Sequence, residues 1–415
     1  MDFDIFFSIS QTPDSSGYKP SENEMFSNFF EQVELADELG FGVGWVAQAH
    51  LSTEIQKQNK NPVVPHYPGE VGLCTDFFQL AREMFSRTKK IEVGSAVMSI
   101  LASGGPIAQA ERVGAFLALH GLNPDEKRKL HIGFSAGRFE FMARPYGIIP
   151  RDELEEEAWP VLRGQIFSEA SEIFLRLIKG EVISSEMISK TRLDSSYFRT
   201  EEEWEKVRDA AIRIRNLEDV PEIIEFNNRY NFEQIRTIPQ DWRRELLNLV
   251  LGSHDKRLQN KVNEILPVQV FNLSITPPEV IEETHKRLEK NYHVDGGSWR
   301  RNMMPRTVMV FVNDEEGLNS TERSEAAKRE AKLSLTTYWN ALDGTIDPSK
   351  IEKAANNAVI GNVEEVATQI IERFHPEDRI MCWFDFFNHD NERVKRNMSA
   401  FMSKVSKIIN GEKNE

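Results

Sequence analysis

The sequence predicts an α/β fold, a single TIM-type (β/α)8 barrel with an insertion between its fourth and fifth units. Three observations carry this expectation. Eight short apolar runs recur along the 415 residues, at 3–9, 41–47, 91–98, 130–135, 246–252, 267–273, 307–313 and 379–386. Each is followed by a stretch of helical periodicity, and strict alternation of strand and helix is the pattern of a parallel sheet wrapped by helices. Only the highly charged stretch 181–240 breaks the rhythm. Barrels of this class bind ligands at the carboxyl ends of their strands, so those ends locate the chemistry.

In the first run Phe3, Ile5, Phe7 and Ile9 alternate with Asp4, Phe6 and Ser8, a strand with one mixed face. A polar loop leads to a helix with Ser21 at its N-cap and Glu24 three residues on, the spacing of a capping box, and Gly40 stops it. The second run empties into Gln48-Ala49-His50. Residues 51–72 hold Pro62, Pro65 and Pro68 and predict a long loop without secondary structure, functional or a mobile lid. Helices follow over 75–85 and from about Ile107, and the fourth strand ends in Ser135-Ala136-Gly137-Arg138. A long helix spans 154–179. Within 181–240 the spacing predicts a short hairpin at 231–238 but too few large apolar side chains for a separate core, hence one domain over 1–415. The fifth strand ends in Gly252-Ser253-His254-Asp255, where a helix opens. A helix over 321–342, a turn at Gly361-Asn362, the closing strand and a final helix over 391–409 complete the chain.

A formal net charge of −15 argues against nucleic acid, whose phosphates need a basic footprint, and against an anionic membrane surface. No apolar run approaches the ~18 residues of a membrane span. No basic region precedes the first apolar run, so no secretory signal is expected. The two cysteines, Cys74 and Cys382, lie far apart and read as reduced thiols of a cytoplasmic protein. His285, His293, His375 and His389 form no metal-type array, and no metal is expected.

The run Arg87-Thr88-Lys89-Lys90-Ile91-Glu92-Val93-Gly94-Ser95-Ala96-Val97 is the most specific piece of the chain. Pro106, Ala110-Glu111 and then Gly133-Phe134-Ser135-Ala136-Gly137-Arg138 follow it, and Val359-Ile360-Gly361-Asn362-Val363-Glu364-Glu365-Val366-Ala367 comes near the end. This progression resembles the bacterial luciferase-like flavin monooxygenase superfamily, over 1–180 closely and over 240–410 in outline. The resemblance implies a TIM-type barrel with an insertion and a site for reduced flavin mononucleotide (FMN) at the strand ends.

Several residues could serve such a site. Ser253 and His254 stand between a strand and a helix N-terminus, where amides and the helix dipole favour phosphate, although Ser253 can equally cap the helix. Gly137 allows close approach of a ligand, and Arg138 can pair with phosphate bidentately or form a surface salt bridge. In the family an arginine beside this glycine contacts the flavin phosphate. Here Ala136 takes the place before the glycine and Arg138 follows it. For Ala96, Val97 and Met98 the resemblance implies backbone lying against the flavin ring, often through a non-proline cis peptide; plain packing is the alternative. His50 is placed to act as acid, base or hydrogen-bond donor. The family pattern there is Glu-His-His, and this chain has Gln48-Ala49-His50, so His50 matches only the second histidine. Asp385 either lines the mouth or is a buried, satisfied carboxylate.

The function expected is a flavin-dependent monooxygenase that uses reduced FMN and oxygen to oxidise a small organic substrate, with a separate flavin reductase supplying the cofactor. The alternatives are a deazaflavin-dependent hydride-transfer oxidoreductase and a non-catalytic partner subunit. The resemblance also implies a homodimer, with Phe77, Leu80, Met84, Phe116 and Leu119 as the candidate apolar face.

Overall fold

The computed structural model describes residues 1–342, Ser349 and residues 356–411. Eleven strands occur among them: β1 Asp2–Phe7, β2 Val43–Val46, β3 Glu92–Ser99, β4 Leu130–Ser135, β5 Thr191–Leu193, β6 Ile224–Phe226, β7 Leu247–Leu251, β8 Gln269–Val270, β9 Arg306–Asn313, β10 Val359–Asn362 and β11 Arg379–Trp383. Helices α1 Glu22–Leu39, α2 Thr53–Gln56, α3 Phe77–Arg87, α4 Gly105–His120, α5 Glu153–Lys179 and α6 Glu201–Arg215 lie in the first half. The second half holds α7 Lys256–Asn263, α8 Pro278–Asn291, α9 Ser320–Leu342, α10 Val363–Arg373, α11 Asn391–Ala400 and α12 Ser406–Asn410.

Nine strands form one sheet in the order β10-β9-β11-β1-β2-β3-β4-β7-β8, and every pairing in it is parallel. The ladder does not run on as a closed ring. Among the described residues a single parallel bridge, Asn272 to Arg306, joins the segment after β8 to the start of β9. All eight expected strands are present, five of them shorter than expected, and β10 stands where the glycine and asparagine of Gly361-Asn362 predict a turn. Asn362 both ends β10 and caps α10 in a full capping box with Glu365. At Ser21 only half of the expected box forms: Ser21 accepts from the Glu24 amide, while the Glu24 carboxylate takes the Tyr18 hydroxyl at 2.6 Å.

The period-two alternation sorts the strands into two faces. Phe3, Ile5 and Phe7 of β1 join the core between strands and helices, and Phe6 joins an inner cluster with Trp45, Val250, Phe271 and Met381. At the amino ends of the strands the inner face carries a paired polar layer. Asp4, with no exposure, accepts from the Trp45 indole at 2.8 Å and the Val43 amide at 3.1 Å, and Arg379 stands 3.7 Å away. Beside it His131 meets Glu92 at 2.6 Å and Asn248 at 3.3 Å.

The stretch 181–240 departs from the expected hairpin. The antiparallel pair is β5 with β6, over thirty residues apart in sequence, and Ile235 instead bridges Ile183. Residues 231–238 lack the tight turn that would fold them on themselves. Trp204, Val207 and Phe226 from this stretch share the core that holds α5. In α3 and α4 the expected dimer face divides: Phe77, Leu80 and Met84 are core, whereas Leu119 is exposed and Phe116 half-buried. No helix among the described residues is long and apolar enough to cross a membrane.

Candidate active site

Because β1, β3, β4, β7 and β11 run parallel, their carboxyl ends gather on one side, and a cavity of about 700 Å³ opens there. Phe6, Ala96, Val97, Phe271 and Trp383 line it from the strands, and Tyr338 enters from α9. Val64, Tyr67 and Val71 of the 51–72 loop also border it. That loop is neither structureless nor loosely held. Its short helix α2 is capped by Ser52, and the Glu70 carboxylate accepts from the Thr53 amide at 2.6 Å and hydroxyl at 2.8 Å and from the Ser52 hydroxyl. The Gln56 side chain bonds Asn61 and Val63. These bonds hold Glu70 below the usual carboxylate range against the opposing effect of burial.

Seven of the expected site residues line the cavity: His50, Ala96, Val97, Ser135, Gly137, Arg138 and His254. The Ala96–Val97 peptide is cis, as the resemblance implies for this strand end. The β3–β4 register shifts there, between Ser95 and Met98. Gly133 permits it, since a Cβ at 133 would stand 2.2 Å from the Ser95 carbonyl oxygen and 3.0 Å from Val97. Gly137 has a positive φ of 78°, and a Cβ there would meet the Ser99 hydroxyl at 2.7 Å. Its amide donates to Ser135 Oγ at 3.0 Å, and Arg163 of α5 donates to its carbonyl at 2.6 Å.

Met98 and Ser253 depart from expectation. Met98 follows the bulge, so alternation turns its side chain away from the inner face, and it is fully buried in the strand–helix core. Ser253 is absent from the cavity wall and its hydroxyl accepts from the Asp255 amide at 3.2 Å. Nor are the first amides of α7 free for a ligand. Asp255 caps them, accepting from Arg257 at 2.8 Å and Leu258 at 3.0 Å. A carboxylate at that helix end opposes an anion.

The charged groups of the cavity are unequal in their partners. The exposed Arg138 guanidinium lies 5.3 Å over the Phe139 ring and has no ion pair or hydrogen bond among the described residues. His50 is engaged on both ring nitrogens, by Ser103 at 3.2 Å and Tyr146 at 2.9 Å. Burial, with Arg112 nearby, pushes its pKa down. His254 is likewise held low by burial, with Arg287 adding to the effect; its Nε2 faces Thr276 at 3.4 Å and its Nδ1 is buried without a partner.

Asp385 is the group whose place the sequence left open. It lines the cavity, and its Oδ2 accepts from both the amide and the hydroxyl of Ser8, at 3.2 and 3.1 Å. Oδ1 is buried with no well-formed partner. Burial raises its pKa, opposed by Ser8, Trp383 and His389. Sequence reasoning missed Ser8, Tyr67, Tyr338 and Phe387 as wall residues. Ser8 alone carried a signal, as the last residue of the mixed face of the first strand.

No family model and no curated protein matches the chain. Solved structures do match its fold. Monooxygenase RslO1 from Streptomyces bottropensis superposes with a TM-score of 0.65 at 15% identity, covering 98% of this chain and 99% of its own. The long-chain alkane monooxygenase LadA gives 0.59 at 13% identity, over 99% of this chain and 92% of its own. The oxygenating constituent of 3,6-diketocamphane monooxygenase from the CAM plasmid of Pseudomonas putida, in complex with FMN, gives 0.57 at 12% identity and 98% of both chains. These structural neighbours are bacterial luciferase-like monooxygenases, the superfamily that the sequence resembles.

Proposed function

We propose that this protein is a flavin-dependent monooxygenase that uses reduced FMN and oxygen to oxidise an organic substrate, the reduced cofactor coming from a separate reductase. In this reading it is a single TIM-type barrel domain in the cytoplasm, with 181–240 as an insertion, and it works as a homodimer with Leu119 and Phe116 at the contact. The observation that carries the reading is the cavity itself, which sets an unpaired guanidinium at the edge of an apolar, ring-walled space. Its volume lies within the roughly 300–1,000 Å³ of cofactor and ligand sites. The residues present fit a flavin nucleotide: Arg138 offers a charge without a partner among the described residues, and Gly137 beside it brings bare backbone to the cavity wall.

Reduced flavin, when bound, supplies the electrons with which oxygen is activated. Arg138 would hold the phosphate through its planar fork. The backbone of Ala96 and Val97 would bear on the ring. His254, whose Nδ1 lacks a partner, is the second polar group available to the cofactor. The 51–72 loop excludes water as a fixed roof, since Glu70 ties it down. His50, bonded at both nitrogens and held low in pKa, is a neutral hydrogen-bonding group near pH 7.

Anaerobic titration with reduced and oxidised FMN, followed by admission of air, tests the reading. Binding of reduced FMN, with oxygen uptake once air enters, is the expected result. Absence of binding in both redox states would overturn it. Binding of a deazaflavin in place of FMN would point to hydride transfer, and binding of neither to a non-catalytic partner subunit.

A further inference from the structure

The wall of the cavity is chemically lopsided. A continuous row of aromatic rings runs along one side, each packed edge to face on the next. Phe6 meets Trp383 at 4.8 Å, Trp383 meets Phe386 at 4.7 Å, Phe386 meets Tyr338 at 5.1 Å, Tyr338 meets Phe387 at 5.5 Å, and Phe387 meets Tyr67 at 5.9 Å. All but Phe386 border the cavity. Rings that are themselves packed edge to face form a rigid apolar rim that favours another ring in offset or T-shaped contact. Tyr67 is locked further by its hydroxyl, 2.5 Å from Ser10 Oγ. The carboxyl of Asp385 is set within this row, two residues from Trp383, while Phe139, beneath the Arg138 guanidinium, packs with Tyr67, Tyr338 and Phe387 at its other end.

Asp385 is built to be held from one side only. Both Ser8 donors converge on Oδ2, while among the described residues Oδ1 has no well-formed bond: the Trp383 indole N–H acts on the carboxyl but is itself without a well-formed bond. A buried carboxyl oxygen without a well-formed bond is costly, and a ligand that brings a well-placed donor recovers that cost. Among the described residues no cation forms an ion pair with this carboxyl, and the His389 side chain, which also acts on it, is engaged through Nε2 with the Thr12 carbonyl at 2.6 Å.

Resting on the flavin reading, which assigns Arg138 to the cofactor, we propose that the part of the cavity walled by Phe6 and Trp383 receives an uncharged aromatic substrate carrying a hydroxyl group, and that Asp385 Oδ1 accepts its hydrogen bond. Asp385 is then a specificity-determining residue. It selects a phenol or aryl alcohol over the corresponding ether and over a straight-chain aldehyde or alkane.

Calorimetric titration of the full chain, without flavin and saturated with FMN, tests this with three probes: 2-naphthol, 2-methoxynaphthalene and decanal. The naphthol is expected to bind about tenfold or more tighter than its methyl ether, the scale of a hydrogen bond to a charged acceptor. Asp385→Asn keeps an oxygen for Ser8 and removes the charge. It is expected to bring the two naphthalenes within about threefold of each other by weakening the naphthol alone. Tyr338→Leu guards against a misfolded first variant; it is expected to weaken both naphthalenes and leave decanal unchanged. Equal affinity for the naphthol and ether in the wild-type protein, an undiminished preference in Asp385→Asn, or tighter binding of decanal than of the naphthalenes would each overturn the proposal. FMN affinity, read in the same samples, separates the failures: loss of the naphthol preference with intact FMN binding sinks this inference alone.

Discussion

Two aspartates on the inner face, Asp4 at the amino ends of the strands and Asp385 at the carboxyl ends, answer the same problem differently. Burial raises both. Asp4 is met on each oxygen, by the Trp45 indole and the Val43 amide, with Arg379 beside it. Asp385 is met twice on one oxygen and left without a well-formed partner on the other. The contrast extends to their neighbours. His131 has Glu92 and Asn248, whereas His254 has one long contact and an orphaned Nδ1. Polar groups that complete one another belong to folding, and polar groups left incomplete around a cavity belong to a ligand.

The comparison breaks most visibly at Asp4. Asp4→Ala strands the Trp45 and Val43 donors and the Arg379 charge, and is expected to cost about 3–5 kcal/mol in urea unfolding. FMN affinity of the folded fraction should stay unchanged. A cost below about 1 kcal/mol would show that the amino-end layer is dispensable. Arg138→Ala is the reciprocal case. FMN binding is expected to weaken about 10–100-fold, as for loss of a charge-assisted bond, while unfolding moves by no more than about 0.5 kcal/mol. Both quantities falling together would erase the distinction between the two ends.

Gly137→Ala probes the boundary between the roles. Its left-handed φ and the close Ser99 hydroxyl predict a loss of about 1–3 kcal/mol by thermal melting, and a disturbed Arg138 should weaken FMN binding as well. The smallest effect comes from acid. In the turn before β4, hydrogen bonding from the Arg128 side chain lowers Glu126 from the ordinary 4.5 to about 2. A depressed carboxyl stabilises the fold fully above about 4.5 and loses that contribution as pH falls toward about 2. Glu126→Gln should therefore flatten the stability curve across that window. A curve parallel to the wild type would remove Glu126 from the account.

The eight strands were legible because each alternates or runs apolar between clear breakers, and the place of Gly137 and Arg138 on the cavity wall was legible because they follow the end of one. β10 was not, since Gly361 and Asn362 carry turn chemistry and only pairing to Val310–Asn313 makes them a strand. The pair β5–β6 escaped because its strands are three residues long and α6 lies between them. Ser253 lies off the cavity wall, and the helix amides beside it are taken by Asp255. Tyr67, Tyr338 and Phe387 reach the cavity from a loop, a helix and a turn, and nothing in their own segments marks that destination. Tertiary packing alone brings them together.

The bond from Ser8 to Asp385 spans 377 positions of the chain, and β1 lies between β2 and β11 in the sheet. On the ribosome, at roughly 5–20 residues per second, the first strand waits on the order of tens of seconds for its partner to be made. Until then the Ser8 donors point at nothing and the cavity lacks one wall. A nascent chain cut short before β11 can hold helices and part of the sheet, but not the finished cavity. A molecule that binds only the finished cavity stabilises only chains whose β11 has been made.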